Sequence, residues 1–152
     1  MPAPDPAQAL RKEARAAVRA VYAELERRPV ERNCTRLTEC CRFKLTGATP
    51  YLTKGEALVA AHGVKASGRK AVPESTAPDG ACPMMKPDGK CLIYADRPFG
   101  CRTHFCQAAG GPYARGEVID LIHQLEAIDR RLNGRGPVIL HKAVAEAFDE
   151  LR

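Results

Sequence analysis

The sequence predicts a small, mainly α-helical domain with a turn-rich, cysteine-bearing middle. Three observations carry that expectation. Apolar residues recur at steps of three and four near both ends of the 152-residue chain. Glycine and proline, twelve of each, fall mostly between those ends. All seven cysteines lie within residues 34–106. The length suits one domain, residues 1–152, with a modest core of its own. Aromatics make up only 5% of the chain, so that core must be built from Leu, Ile, Val and Ala.

Residues 5–28 read as the N-terminal helix. Asp5 is a good N-cap, Pro6 suits the first helical position, and Gln8 completes a capping-box spacing. Leu10, Ala14, Ala17, Val21 and Leu25 share one face, while Arg11, Arg15 and Arg19 form a basic stripe that reads as a solvated face. Residues 29–50 break the pattern. Thr53 and Glu56 repeat the capping-box spacing and open a short helix that Gly63 is expected to end. From Lys65 to Lys90 the chain is turn chemistry, with Pro73, Pro78-Asp79-Gly80 and Pro87-Asp88-Gly89. The run Cys91 to Tyr94 has the composition of one short β-strand, the place where the middle has room for a strand or hairpin. Residues 116–133 return to helix, with Val118, Leu121, Leu125, Ile128 and Leu132 on one face and Asn133-Gly134 as the stop. Pro137 opens a last helix carrying Leu140, Val144, Ala147 and Leu151. The two helices of 116–151 are expected to form an antiparallel hairpin.

The formal charge of +6 would ordinarily suggest nucleic acid. The basic residues are spread along the chain, however, and seven thiolates holding two divalent ions would lower the charge to about +3. Nucleic acid is therefore disfavoured as a partner. The N-terminus has no continuous apolar core, Glu13, Glu24 and Glu26 argue against a transit peptide, and no window suits a membrane span. The expectation is a cytoplasmic chain, where clustered cysteines serve metal or catalysis more readily than disulfides.

The cysteines form two groups, Cys34, Cys40 and Cys41, then Cys82, Cys91, Cys101 and Cys106. The second group is not the paired C-x2-C of a zinc ribbon, but its surroundings suit a thiolate site. Cys82 is followed by Pro83, a step that also follows a ligand in one iron–sulfur motif. Gly89 and Gly100 allow sharp turns near cysteines. Arg97 and Arg102 could offset thiolate charge or could be ordinary surface cations.

The block CPMMKPDGKCLIYADRPFGCRTHFC resembles the signature of the YkgJ-like cysteine-cluster proteins, described as a zinc- or iron-chelating domain. The matching residues are Cys82-Pro83, Gly89, Cys91, Ile93-Tyr94, Arg97-Pro98, Cys101-Arg102 and Cys106. Upstream, CTRLTECC matches the family's CxxCxxCC group through Cys34, Cys40 and Cys41. The resemblance covers about residues 34–106 and implies that all seven cysteines are metal ligands. This chain departs from the pattern at Leu37, where the family has a cysteine. Seven thiolates cannot fill two tetrahedral sites, so His104, water or substrate could complete the set, or a single site could form with spare cysteines packed. His62, His123 and His141 fit core or surface roles. The odd ligand count, the Cys-Pro step and the backbone-rich turns favour an iron–sulfur cluster over Zn2+.

Three functions fit these residues. The first is a metal-binding accessory, redox or metal-handling module with a protein partner. The second is an enzyme of protein modification or redox chemistry, since related cysteine-cluster regions accompany flagellin lysine methylation. The third is a zinc-stapled interaction domain working through its basic first helix. No phosphate loop, nucleophile triad or dinucleotide fingerprint is evident.

Overall fold

A computed structural model describes residues 5–27, 51–73, 84, 86, 91–103 and 115–151. These residues are mainly helical. Helix α1 spans Pro6–Arg27, α2 Lys54–Ala66, α3 Phe99–Thr103, α4 Arg115–Arg131 and α5 Leu140–Glu150. A 3-10 turn occupies Tyr94–Asp96, and two short strands, β1 (Tyr51–Leu52) and β2 (Val138–Ile139), complete the described elements. No described helix is long and apolar enough to cross a membrane.

The first helix forms as its sequence dictates. Asp5 caps it, its carboxylate accepting the Ala7 N–H at 3.1 Å. Ala14, Val18, Val21, Tyr22 and Leu25 are buried along one stripe.

Helix α2 is the centre of the molecule. Its sequence, KGEALVAAHGVKA, is apolar nearly all round, the pattern of a helix with neighbours on several sides. It packs against α5, α1 and α4. Its N-terminus carries the expected capping box, with the Thr53 N–H donating to Glu56 Oε2 at 2.8 Å. A second carboxylate reaches in from α4, where Asp129 Oδ1 accepts the Lys54 N–H at 2.8 Å. Both sit where the helix presents unpaired donors and the positive end of its dipole. Gly55 permits the crossing, because a Cβ there would lie 2.8 Å from Val18 Cγ2 and 2.9 Å from Ile128 Cγ2.

Gly63 does not end α2, which continues to Ala66. It is a packing glycine: a Cβ would lie 2.8 Å from Asp96 Oδ2 and 3.1 Å from Ile93 Cγ2. The Cys91–Tyr94 run is also not a strand. Leu92 and Ile93 turn, and Tyr94 enters the 3-10 turn. Strand pairing occurs elsewhere, antiparallel between Tyr51 and Ile139 and between Leu52 and Val138.

Helix α4 buries the predicted face of Val118, Leu121, Leu125, Ile128 and Leu132. It ends at Arg131; in the turn that follows, Asn133 takes a left-handed φ of 55°, and the Gly134 N–H returns to the Asp129 carbonyl at 2.8 Å. Pro137 precedes β2, so α5 begins only at Leu140. The C-terminal pair also differs from a simple hairpin. Helix α5 rests chiefly on α2, and α4 rests on α1 and α2, because α2 supplies the apolar surface between them.

Candidate metal centre

Cys91 and Cys101 are the predicted ligands within the described residues. Cys34, Cys40, Cys41, Cys82 and Cys106 lie outside them, as do Leu37 and His104. Among the described residues, no group of three or more His, Cys, Asp or Glu side chains converges on one point.

Cys91 and Cys101 belong to a segment, residues 91–103, that is docked on α1 and α2. Ile93, Pro98, Phe99 and Arg102 are buried, and Cys91 packs at the edge of the core. The Leu92 N–H donates to the Met84 carbonyl at 2.7 Å, beside Cys91. Both cysteines are half-buried. That degree of enclosure suits a sulfur that binds a metal at the margin of a fold.

Polar anchors hold the segment at two ends. At its start, Asp96 Oδ1 accepts from Arg19 Nη2 at 3.3 Å, and the same guanidinium meets His62 Nδ1 at 3.5 Å. Burial holds the His62 pKa below its ordinary value, assisted by the charges of Arg15 and Arg19. The arginine stripe is therefore partly engaged: Arg19 belongs to the anchor, while burial and then its two arginine neighbours lower the pKa of Arg15.

At its end, Glu56 Oε1 accepts the Phe99 N–H at 2.8 Å. The capping carboxylate of α2 thereby also caps α3, the short helix that carries Cys101. Burial raises the Glu56 pKa, against the lowering effect of bonds from Thr53 and Phe99.

Arg102 fixes the loop between these anchors. Its Nε donates to the Arg97 carbonyl at 2.8 Å and its Nη2 to the Ala95 carbonyl at 2.7 Å. Nη1 meets Glu26 Oε1 at 3.0 Å, and the guanidinium lies 4.1 Å from the centre of the Tyr22 ring. Burial lowers its pKa, and it remains a cation. Arg97 turns back on its own 3-10 turn, donating from Nε to the Tyr94 carbonyl at 2.9 Å and lying 3.9 Å from the centre of the Tyr94 ring. Both arginines thus act on backbone geometry: they set the path of the chain between the two cysteines.

In comparisons with known proteins, no family model matches the chain, and neither a curated protein nor a solved structure matches it.

Sequence reasoning missed Tyr22, whose signal was available: it is the lone aromatic in α1, beside Val21 on the apolar stripe. The phenol is buried and its hydroxyl has no hydrogen-bond partner among the described residues. Burial raises its pKa well above the ordinary value, with Glu56, Cys101 and Asp96 adding to the rise and Arg102 opposing it. An open groove of about 730 Å³ is bordered by Glu56, Phe99, Val118, Leu125 and Asp129. Its two buried carboxylates are already taken up by backbone N–H groups of Thr53, Phe99, Lys54 and Gly136, so the groove reads as part of the scaffold.

Proposed function

We propose that the chain is a YkgJ-like metal-binding module whose cysteine cluster holds an iron–sulfur centre, with Zn2+ as the alternative occupant. The ligands are Cys34, Cys40, Cys41, Cys82, Cys91, Cys101 and Cys106, and the module works in the cytoplasm as an accessory, redox or metal-handling protein with a protein partner. The observation that supports this reading most is the treatment of the motif's non-cysteine residues. Arg97, Pro98 and Arg102 are built into the fold as supports that fix the backbone between two half-buried cysteines. Supports of this kind are what a thiolate site requires, since ligands held in place lose less freedom on binding. The donor set also fits: soft thiolates suit iron–sulfur clusters and zinc alike. A bound centre would draw the cysteine groups together and stabilise a segment poor in apolar residues.

Anaerobic purification, metal and sulfide analysis and a visible spectrum test the reading. Iron with sulfide and a brown colour are expected. Colourless protein with stoichiometric zinc moves the assignment to a zinc staple. Protein with neither metal, and no uptake of either, overturns it.

A further inference from the structure

The arginine row of α1 is a charged surface that the metal reading leaves largely unused. Arg11, Arg15 and Arg19 follow one another at four-residue steps, a row about 12 Å long beside the buried stripe. Arg19 has a carboxylate, Asp96, at 3.3 Å. Arg11 and Arg15 are half-buried and have no hydrogen bond or ion pair among the described residues. Glu13 lies between them in sequence but is turned to α4, where its Oε1 accepts from Arg131 at 3.1 Å. Helix α2 adds to the row: His62 Nδ1 lies 3.5 Å from Arg19 Nη2, and Lys65 follows one turn later.

Such a row is unfavourable in the free protein. Like charges four residues apart on a helix repel, and half-burial withholds part of the water that would solvate each guanidinium. Both effects hold the Arg15 pKa below its ordinary value, burial first and then Arg19 and Arg11. Opposite charge brought from outside would relieve both.

The shape of the row narrows what that charge is. Asp96 stands at its Arg19 end, and seven residues further along the same stripe comes Glu26, which is 67% exposed. A nucleic-acid strand carries its phosphates in an unbroken series and would run on into these acids. A helix with Glu or Asp at i, i+4 and i+8 presents three carboxylates at the same step of about 6 Å and ends where the row ends.

We propose that the Arg11–Arg15–Arg19 row, with His62 beside it, is a docking surface for an acidic helix of a partner protein, whose carboxylates face the three guanidiniums. The inference rests on α1 and α2 alone and stands whatever the cysteines hold, so metal analysis and the test below fail independently.

The test titrates the full chain, as purified, into three fluorescently labelled probes at low salt and follows their anisotropy. One is an alanine-rich helical peptide with Glu at three positions four residues apart. The second has the same composition with its Glu residues on different sides of the helix, and the third is a single-stranded DNA oligonucleotide of equal charge. Wild type should bind the in-row peptide most tightly, and added salt should weaken that binding. The double variant Arg11→Gln, Arg15→Gln should bind it about 10-fold more weakly, while Lys142→Gln, exposed on α5, should bind it as wild type does. Without peptide, the double variant should melt at or above the wild-type temperature, since the repulsion is gone. If it melts lower, Arg15→Glu against a peptide whose central Glu is replaced by Lys decides: restored affinity supports the docking surface, and unrestored affinity overturns it. The proposal is also overturned by no binding of the in-row peptide to wild type, by equal binding of the two peptides, or by wild-type affinity in the double variant. Tighter binding of the oligonucleotide overturns it in favour of nucleic acid.

Discussion

Replacing Arg102 with lysine keeps a positive charge beside Cys101 and removes the fork that holds the loop. The guanidinium side chain is only 6% exposed and serves two carbonyls, Ala95 and Arg97, from different nitrogens. A lysine ammonium on a flexible stem can reach one of them and leaves the other without its donor, at about 1–3 kcal/mol. Loss of the planar cation over the Tyr22 ring adds about 1 kcal/mol. The ion pair with Glu26 contributes little, since that carboxylate is 67% exposed. The sum is about 2–4 kcal/mol, and its middle corresponds to a fall in melting temperature of roughly 6–12 °C for a chain of this size. Urea unfolding of wild type, Arg102→Lys and Arg102→Met measures it. If fork geometry is what matters, Arg102→Lys loses about 2–4 kcal/mol and Arg102→Met, which can donate to neither carbonyl, loses at least as much. An Arg102→Lys protein within ~0.5 kcal/mol of wild type, with Arg102→Met clearly weaker, would refute the reasoning. Charge near the cysteine, and not the backbone clamp, would then be the role of Arg102.

Three further outcomes are expected. Glu56→Gln sets an amide N–H2 against a backbone N–H, of Thr53 or of Phe99; relief from burying a charge offsets part of the loss. A net cost of about 1–2 kcal/mol is expected in urea unfolding, with faster alkylation of Cys101 by a thiol reagent. Gly63→Ala crowds Asp96 and Ile93 and should destabilise by about 1 kcal/mol despite the better helix propensity; in an Asp96→Ala background the same change should become neutral or favourable. His62 has a folded pKa below its unfolded value of 6.5, so the fold favours its neutral form. Stability should therefore be fully present above pH 6.5 and decline slightly as pH falls through that value towards the folded pKa, and His62→Gln should flatten this part of a melting-temperature profile.

Much of the helical frame was legible because each helix carries its own signals. Asp5, the Thr53–Glu56 box and Asn133-Gly134 act within a turn of the backbone they cap, and apolar spacing gave the buried face of α4 residue by residue; on α1 it gave Ala14, Val21 and Leu25 but missed Val18 and Tyr22, while Leu10 and Ala17 are only half-buried. What was not legible depends on partners distant in sequence. Gly63 has the residue type of a helix stop but answers to Asp96, more than thirty positions away. The Cys91–Tyr94 run has strand composition, yet it turns at Leu92 and Ile93, and Ile93 packs against α2 at Gly63. Pro137 can open a helix, but here Val138 and Ile139 first pair with β1. The second bond of Glu56, to Phe99, leaves no trace in spacing. For the site, the sequence supplied a family pattern and its cysteines; it could not show that Arg97 and Arg102 turn towards backbone and rings, because either arginine could equally have faced a thiolate.

The carboxylate of Glu56 joins two helix beginnings that are 45 residues apart, those of Lys54 and Phe99. That joint imposes an order of assembly. The side chains that anchor the Cys101 segment, Arg19, Glu26 and Glu56, belong to α1 or α2, so these anchors are complete only once those two helices have met. Cys91 and Cys101 therefore take their described positions only after that part of the core has closed.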